Sequence, residues 1–167
     1  MNVHAISTLT PAEAALVEAF AERLSDLPGD ADVIVRRDDA IERVKAGLPT
    51  RRVEAWHYTD LRRLLTRVPA YDASAKTEAP RALIAGSTVL RVLNGVAERP
   101  SAVDGVEIET LRTLLTAGNT GSPLGAQDND DAVGAINGAF VSDGFGLTVA
   151  DGAEIGAPIE LQNLQAG

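Results

Sequence analysis

The 167-residue chain has two histidines, His4 and His57, and no cysteine. His57 sits in Glu54-x-x-His57-x-x-Asp60. Wound on a helix, that spacing brings the three side chains near one face, as in a carboxylate–histidine metal site. Three features weigh against it. Trp56 and Tyr58 flank the histidine, Pro49 opens what reads as an extended loop, and a zinc site normally takes three or four protein ligands. A structural role for His57 therefore outweighs a metal role, and a small metal-dependent enzyme using Glu54, His57 and Asp60 is the least favoured function. His4, close to the N-terminus, reads as solvated.

The remaining chemistry is sparse. Asp128-Asn129-Asp130-Asp131 resembles the opening of a calcium loop, but Ala132, Val133 and Ala139 occupy the positions that need a ligand, a glycine and a glutamate. Gly144-Phe145-Gly146 is a fragment of a phosphate loop that opens a strand, so it offers phosphate no helix N-terminus. There is no Gly-x-Ser-x-Gly elbow, and no thiolate for zinc, an iron–sulfur cluster or thiol catalysis. The inventory points away from an enzyme, with no catalytic, cofactor-binding or metal residue assigned.

Charge narrows the partners. The net charge is −9, which repels phosphate backbones and anionic membrane surfaces; nucleic acid and membrane are not expected partners. Within this acidic chain Arg51, Arg52, Arg62, Arg63 and Arg67 form the densest basic cluster. Solvated or internally paired arginines are the favoured account, since surface ion pairs are common and weak. An acidic partner surface is the alternative. No signal peptide is legible in residues 1–10, and no apolar run approaches a membrane span, so a cytoplasmic protein is expected.

The elements that would position these residues are unevenly marked. Apolar residues make up 45% but aromatics only 4%, so cores must be built from small aliphatic side chains. Thr10, Pro11 and Glu13 predict a capping box and a first helix with Leu16, Phe20, Leu24 and Leu27 on one stripe, ended by Pro28-Gly29-Asp30. A second helix is expected from Asp38 or Asp39, with Ile41, Val44 and Leu48 inward and Gly47 as its stop. A third follows Thr59 as its cap, with Leu61, Leu64, Leu65 and Val68 on one face and Pro69 at its end.

Beyond the linker-like residues 72–80 the period changes. Thr88 to Leu93, Asn94-Gly95 and Val96 to Glu98 predict a two-residue hairpin. Val106 and Ile108 mark a strand, and Leu111, Leu114 and Leu115 a short helix ended by Gly118. Residues 119–131 read as a mobile loop, and Ala132 to Phe140 as a helix with Val133, Ile136 and Phe140 inward. From Gly144, short aliphatic strands broken by Asp151-Gly152 and Gly156-Ala157-Pro158 look like the first rungs of a parallel β-helix. The expected fold class is α+β. It comprises an N-terminal helical region (1–80), a small α/β region with a hairpin and helix (81–143), and the incomplete start of a right-handed parallel β-helix (144–167).

The segment Pro49-Thr50-Arg51-Arg52-Val53-Glu54-Ala55-Trp56-His57-Tyr58-Thr59-Asp60-Leu61 resembles an N-terminal motif of the SufD family and its SufB paralogues. That motif is Pro-x-Arg-(Arg or Lys)-x-Glu-x-Trp-(Lys or Arg)-Tyr-Thr-x-Leu. The chain matches at Pro49, Arg51, Arg52, Glu54, Trp56, Tyr58, Thr59 and Leu61, and departs at His57, where the family has a basic residue. Read physically, the motif is structural: Trp56 and Tyr58 supply apolar area, Glu54 pairs with Arg51 or Arg52, and Thr59 caps a helix. Three further stretches resemble the family in the same order along the chain. They are the Asn94-Gly95 hairpin, Ile136-Asn137-x-Ala139-Phe140-x-x-Asp143-Gly144, and Pro158-Ile159. The short helical N-terminus and the lack of cysteine favour SufD over SufB.

The resemblance implies a non-enzymatic scaffold in the SUF iron–sulfur cluster assembly complex. SufD-like proteins pair with SufB and bind the SufC ATPase, so the implied partners are SufB-like and SufC-like proteins. Clusters and ATP (through SufC) are handled by the complex, and no cofactor is implied in this chain. The family's SufB contact, SufC dock and cluster-linked histidine lie downstream of the matching region, so none of those residues carries over. Family members are longer, and the chain reads as an N-terminal portion whose last rung would leave an unpaired edge, open to homodimerisation or fraying. A stand-alone protein-interaction module is the alternative.

Overall fold

Thr10 starts the first helix as the sequence requires. Its hydroxyl accepts from the Glu13 amide at 3.2 Å, and the Glu13 carboxylate accepts from the Thr10 amide at 2.6 Å. Pro11 fills the first helical position. In the structure, a computed structural model that describes residues 8–118 and 131–166, this helix α1 spans Pro11–Arg23 and tightens into a 3₁₀ turn at Leu24–Asp26. The expectations for His4, for the loop 119–130 and for Asp128 to Asp130 lie outside the described residues.

The described residues are α+β and divide into two units. The first holds residues 8–27, 31–70 and 131–141. Its second helix, α2, spans Ala31–Lys45 and begins well before the expected Asp38. The β-branched run Val33-Ile34-Val35 has poor helix propensity, but Val33, Arg37, Ala40, Ile41 and Val44 form a buried helical stripe, and packing overrides propensity. Gly47 adopts φ 102° just beyond the helix, the left-handed stop expected of it. A short helix α3, Leu61–Leu64, is capped by Asp60 rather than Thr59: the Asp60 carboxylate accepts from the Arg63 amide at 3.0 Å. It ends before Leu65 and Val68, which still pack on the core from an irregular segment.

Helix α5, Ala132–Phe140, supplies the other wall of this unit. Its most buried residues are small, Ala135, Gly138 and Ala139; Ile136 and Phe140 pack on the core as expected, whereas Val133 faces out at 55% exposure, contrary to expectation. Small residues let α5 approach α2 closely, which the apolar count alone did not anticipate. The shared core holds Leu16, Phe20, Ala40, Ile41, Val44 and Ala139, with Phe20 and Phe140 edge to face at 5.9 Å.

The second unit holds residues 28–30, 71–118 and 142–166. Strands β1 (Thr88–Leu93) and β2 (Val96–Ala97) form the expected hairpin. Asn94 at φ 48° and Gly95 at φ 72° give the two left-handed centres of its turn. Strand β3 (Val106–Thr110) leads into helix α4 (Leu111–Ala117), ended by Gly118 at φ 70°. Strand β4 (Phe145–Val149) pairs antiparallel with β3. A side chain at Gly146 would collide with Leu114, so the glycine lets α4 lie against this pair. Strand β5 (Ile159–Leu164) runs parallel to β1 in unbroken register, from Thr88 opposite Ile159 to Leu93 opposite Leu164, giving the order β2-β1-β5. Asp151-Gly152 forms the expected turn. No β-helix is seen among the described residues, whose strands make one three-stranded and one two-stranded sheet.

Candidate functional site

Pro49 to Tyr58 was expected to be an extended loop; with the residues up to Arg62 it instead folds into a closed loop. Successive turns run from the Val53 amide to the Thr50 carbonyl, Trp56 to Val53 and Thr59 to Trp56, with a 3₁₀ turn at Glu54–Trp56. The Arg62 amide then donates to the Pro49 carbonyl at 3.2 Å, joining the two ends. A loop whose ends meet presents its side chains outward from a fixed base.

Glu13 supplies that base. Its side chain is fully buried, and one carboxylate oxygen accepts from the Leu48 amide at 2.8 Å and pairs with Arg62 Nε at 3.2 Å. Arg62 also donates to the Thr8 carbonyl. The capping-box glutamate thus ties α1 to both sides of the loop. Its spacing revealed the cap, but nothing local revealed the other bonds.

A second buried charge sets the opposite wall. Arg37 donates to the carbonyls of Ala139 at 2.8 Å, Gly138 at 3.3 Å and Val141 at 2.7 Å. These are the open carbonyls at the C-terminal end of α5, where a cation is favoured. Burial, and secondarily the charge of Arg23, lower its pKa to about 10, and it stays charged at neutral pH. Sequence reading missed this residue.

The motif residues are placed differently from expectation. Tyr58 is 86% exposed and adds little to any core. Trp56 and Leu61 are half-buried. Glu54, Arg51 and Arg52 are exposed, and among the described residues no ion pair joins Glu54 to either arginine. Arg62 alone of the basic cluster forms an ion pair among the described residues; Arg51, Arg52, Arg63 and Arg67 are exposed. Glu54, His57 and Asp60 are not gathered as ligands. Among the described residues no group of three or more His, Asp or Glu side chains is placed to hold a metal ion. Asp60 is occupied as a cap, and His57 Nδ1 lies 2.7 Å from the Glu54 carbonyl. A carbonyl only accepts, so that nitrogen carries the proton. The imidazole lies against Tyr58, with ring centroids 3.7 Å apart.

The second unit has its own organising residue, Asp143. One carboxylate oxygen accepts from the amides of Arg112 at 3.0 Å and Gly144 at 2.9 Å, and the other accepts from Ala97 at 3.1 Å. One side chain thus fixes the hairpin, the start of α4 and the entry to β4. Ser142 adds a bond from its hydroxyl to the Gly95 carbonyl at 2.6 Å.

No model of a known protein family matches the chain, and no curated protein matches it significantly. Among the described residues no helix is long and apolar enough to cross a membrane.

Proposed function

We propose that the chain is a non-enzymatic scaffold component of an iron–sulfur cluster assembly complex of the SUF type, a SufD-like protein acting in the cytoplasm. The observation that carries this reading is the ordered set of four sequence matches, led by Pro49, Arg51, Arg52, Glu54, Trp56, Tyr58, Thr59 and Leu61. Two local features support it. The Asn94-Gly95 match falls on a left-handed two-residue turn, and the Asp143-Gly144 match falls on the carboxylate that joins three elements. Both matches therefore sit where specific residues are physically required.

The partners in this reading are SufB-like and SufC-like proteins, with the cluster as cargo and ATP handled by SufC. A right-handed β-helix built onto the second unit belongs to the same proposal. Its support is the in-register parallel ladder of β1 and β5, the pairing that stacked rungs use, and the place of β5 at one edge of the described sheet. A homodimer through that edge is the alternative occupant. A stand-alone interaction module is the second reading, favoured by the outward motif side chains. The test is whether the naturally occurring polypeptide forms a stable complex with SufB-like and SufC-like proteins of its own organism.

A further inference from the structure

We infer that the outer face of the 49–62 loop and α3 docks an acidic, partly apolar segment of another polypeptide. The face centres on a depression of about 530 Å³ lined by Arg51, Tyr58, Thr59, Asp60, Arg63 and Leu64. Tyr58 and Leu64 are 86% and 66% exposed, side by side in a chain with two tyrosines. Tyrosine and arginine together are the side chains that most often anchor protein interfaces.

Tyr58 is also held in place. His57 packs against its ring, and the bond from His57 Nδ1 to the Glu54 carbonyl fixes the imidazole. The loop beneath is closed from Pro49 to Arg62 and tied to buried Glu13. A pre-positioned aromatic loses little freedom on binding.

Charge selects the occupant. Residues 51–67 hold five arginines, of which Arg62 is paired with Glu13, against two carboxylates, inside a chain of net charge −9. Asp60 is engaged as the α3 cap, and no carboxylate among the described residues pairs with Arg51 or Arg63. An anionic partner neutralises this face, and the exposed tyrosine and leucine call for an apolar side chain beside its carboxylates. A long polyanion such as RNA meets the acidic remainder of the chain. Two copies docked through this face in two-fold symmetry would set arginine against arginine. The inference stands on this geometry and does not rest on the cluster-assembly reading.

The experiment uses the full chain, ¹⁵N-labelled, titrated with a twelve-residue peptide of alternating glutamate and leucine, with a lysine-for-glutamate peptide as comparator. The expected result is amide shifts confined to the loop and α3, with no response to the lysine peptide. Tyr58→Ala and Arg63→Glu should each weaken binding about tenfold or more, the scale of interface anchors. Arg99→Glu, an exposed change in the second unit, should leave binding unaltered. Raising salt from about 0.05 to about 0.5 M should weaken it several-fold, because exposed charges are screened. Tyr58→Ala should keep the parent thermal midpoint, which separates lost docking from lost folding. Four results would overturn the inference: no shifts at millimolar peptide, shifts spread over the whole surface, equal response to the lysine peptide, or self-association that Tyr58→Ala abolishes.

Discussion

Glu13 shows how one side chain can serve two levels of structure. It completes the α1 capping box and, through its other oxygen, anchors Leu48 and Arg62. Replacing it by Ala removes these acceptors and leaves a partly buried guanidinium without its ion-pair carboxylate. We expect Glu13→Ala to destabilise the first unit by about 3 kcal/mol, the scale of breaking a buried ion pair with its hydrogen bonds. The only tryptophan, Trp56, lies in that unit, so its fluorescence during urea unfolding reads the loss directly. Glu160 gives a pH-dependent counterpart. Hydrogen bonds from the Gln162 side chain, then from the amides of Ile84 and Leu83 and the Ser87 hydroxyl, hold its pKa below the ordinary glutamate value. A lowered carboxylate pKa gives stability that is present above the unfolded-state pKa and lost as pH falls through the folded value. The Leu83 and Ile84 amide signals should therefore titrate together with Glu160, at a pH below that of an unperturbed glutamate. Titration at the ordinary glutamate pH would mean that the clamp is absent. Of these roles only the Thr10–Glu13 cap was legible in the sequence, because apart from Gln162 the other partners are 35 or more residues away.

At the scale of elements, legibility followed the locality of the forces. The Asn94-Gly95 turn, the α1 cap and the Gly118 stop each depend on a few neighbouring residues and were readable. The start of α2 and the inward face of α5 depend on each other across the core. There Ala135, Gly138 and Ala139 are chosen for closeness, and Arg37 for the carbonyls it meets. Neither the hydrophobic period nor helix propensity reports such a match. Asp60 displaced Thr59 as the α3 cap for a similar reason, since the Pro49–Arg62 closure sets where the helix can begin. The hairpin offers a direct test. Gly95→Ala places a Cβ at a left-handed position, 3.0 Å from Ser142 Oγ. We expect a cost of about 1–2 kcal/mol, or about tenfold faster exchange of the Glu98 amide, which bonds Arg91 beyond the turn. Unchanged exchange would show that the turn does not support the ladder.

At the scale of the molecule, two units interleave along one chain, with α5 returning to the helices of the first. Linear reading of composition and period could not foresee that return. The ordered matches on which the functional proposal rests come instead from the resemblance of specific motifs, and the structure adds where their side chains lie. The Pro49 to Leu61 motif, read as a structural anchor, carries its arginines and Tyr58 outward, while buried Glu13 and Arg62 hold its base. The central claim is membership of a cluster-assembly complex. Its most direct test is co-expression of the naturally occurring polypeptide with SufB-like and SufC-like proteins of the same organism, followed by size-exclusion chromatography with light scattering. The account predicts one co-eluting species containing all three chains. Separate elution of this polypeptide, with the other two still associated, would contradict it.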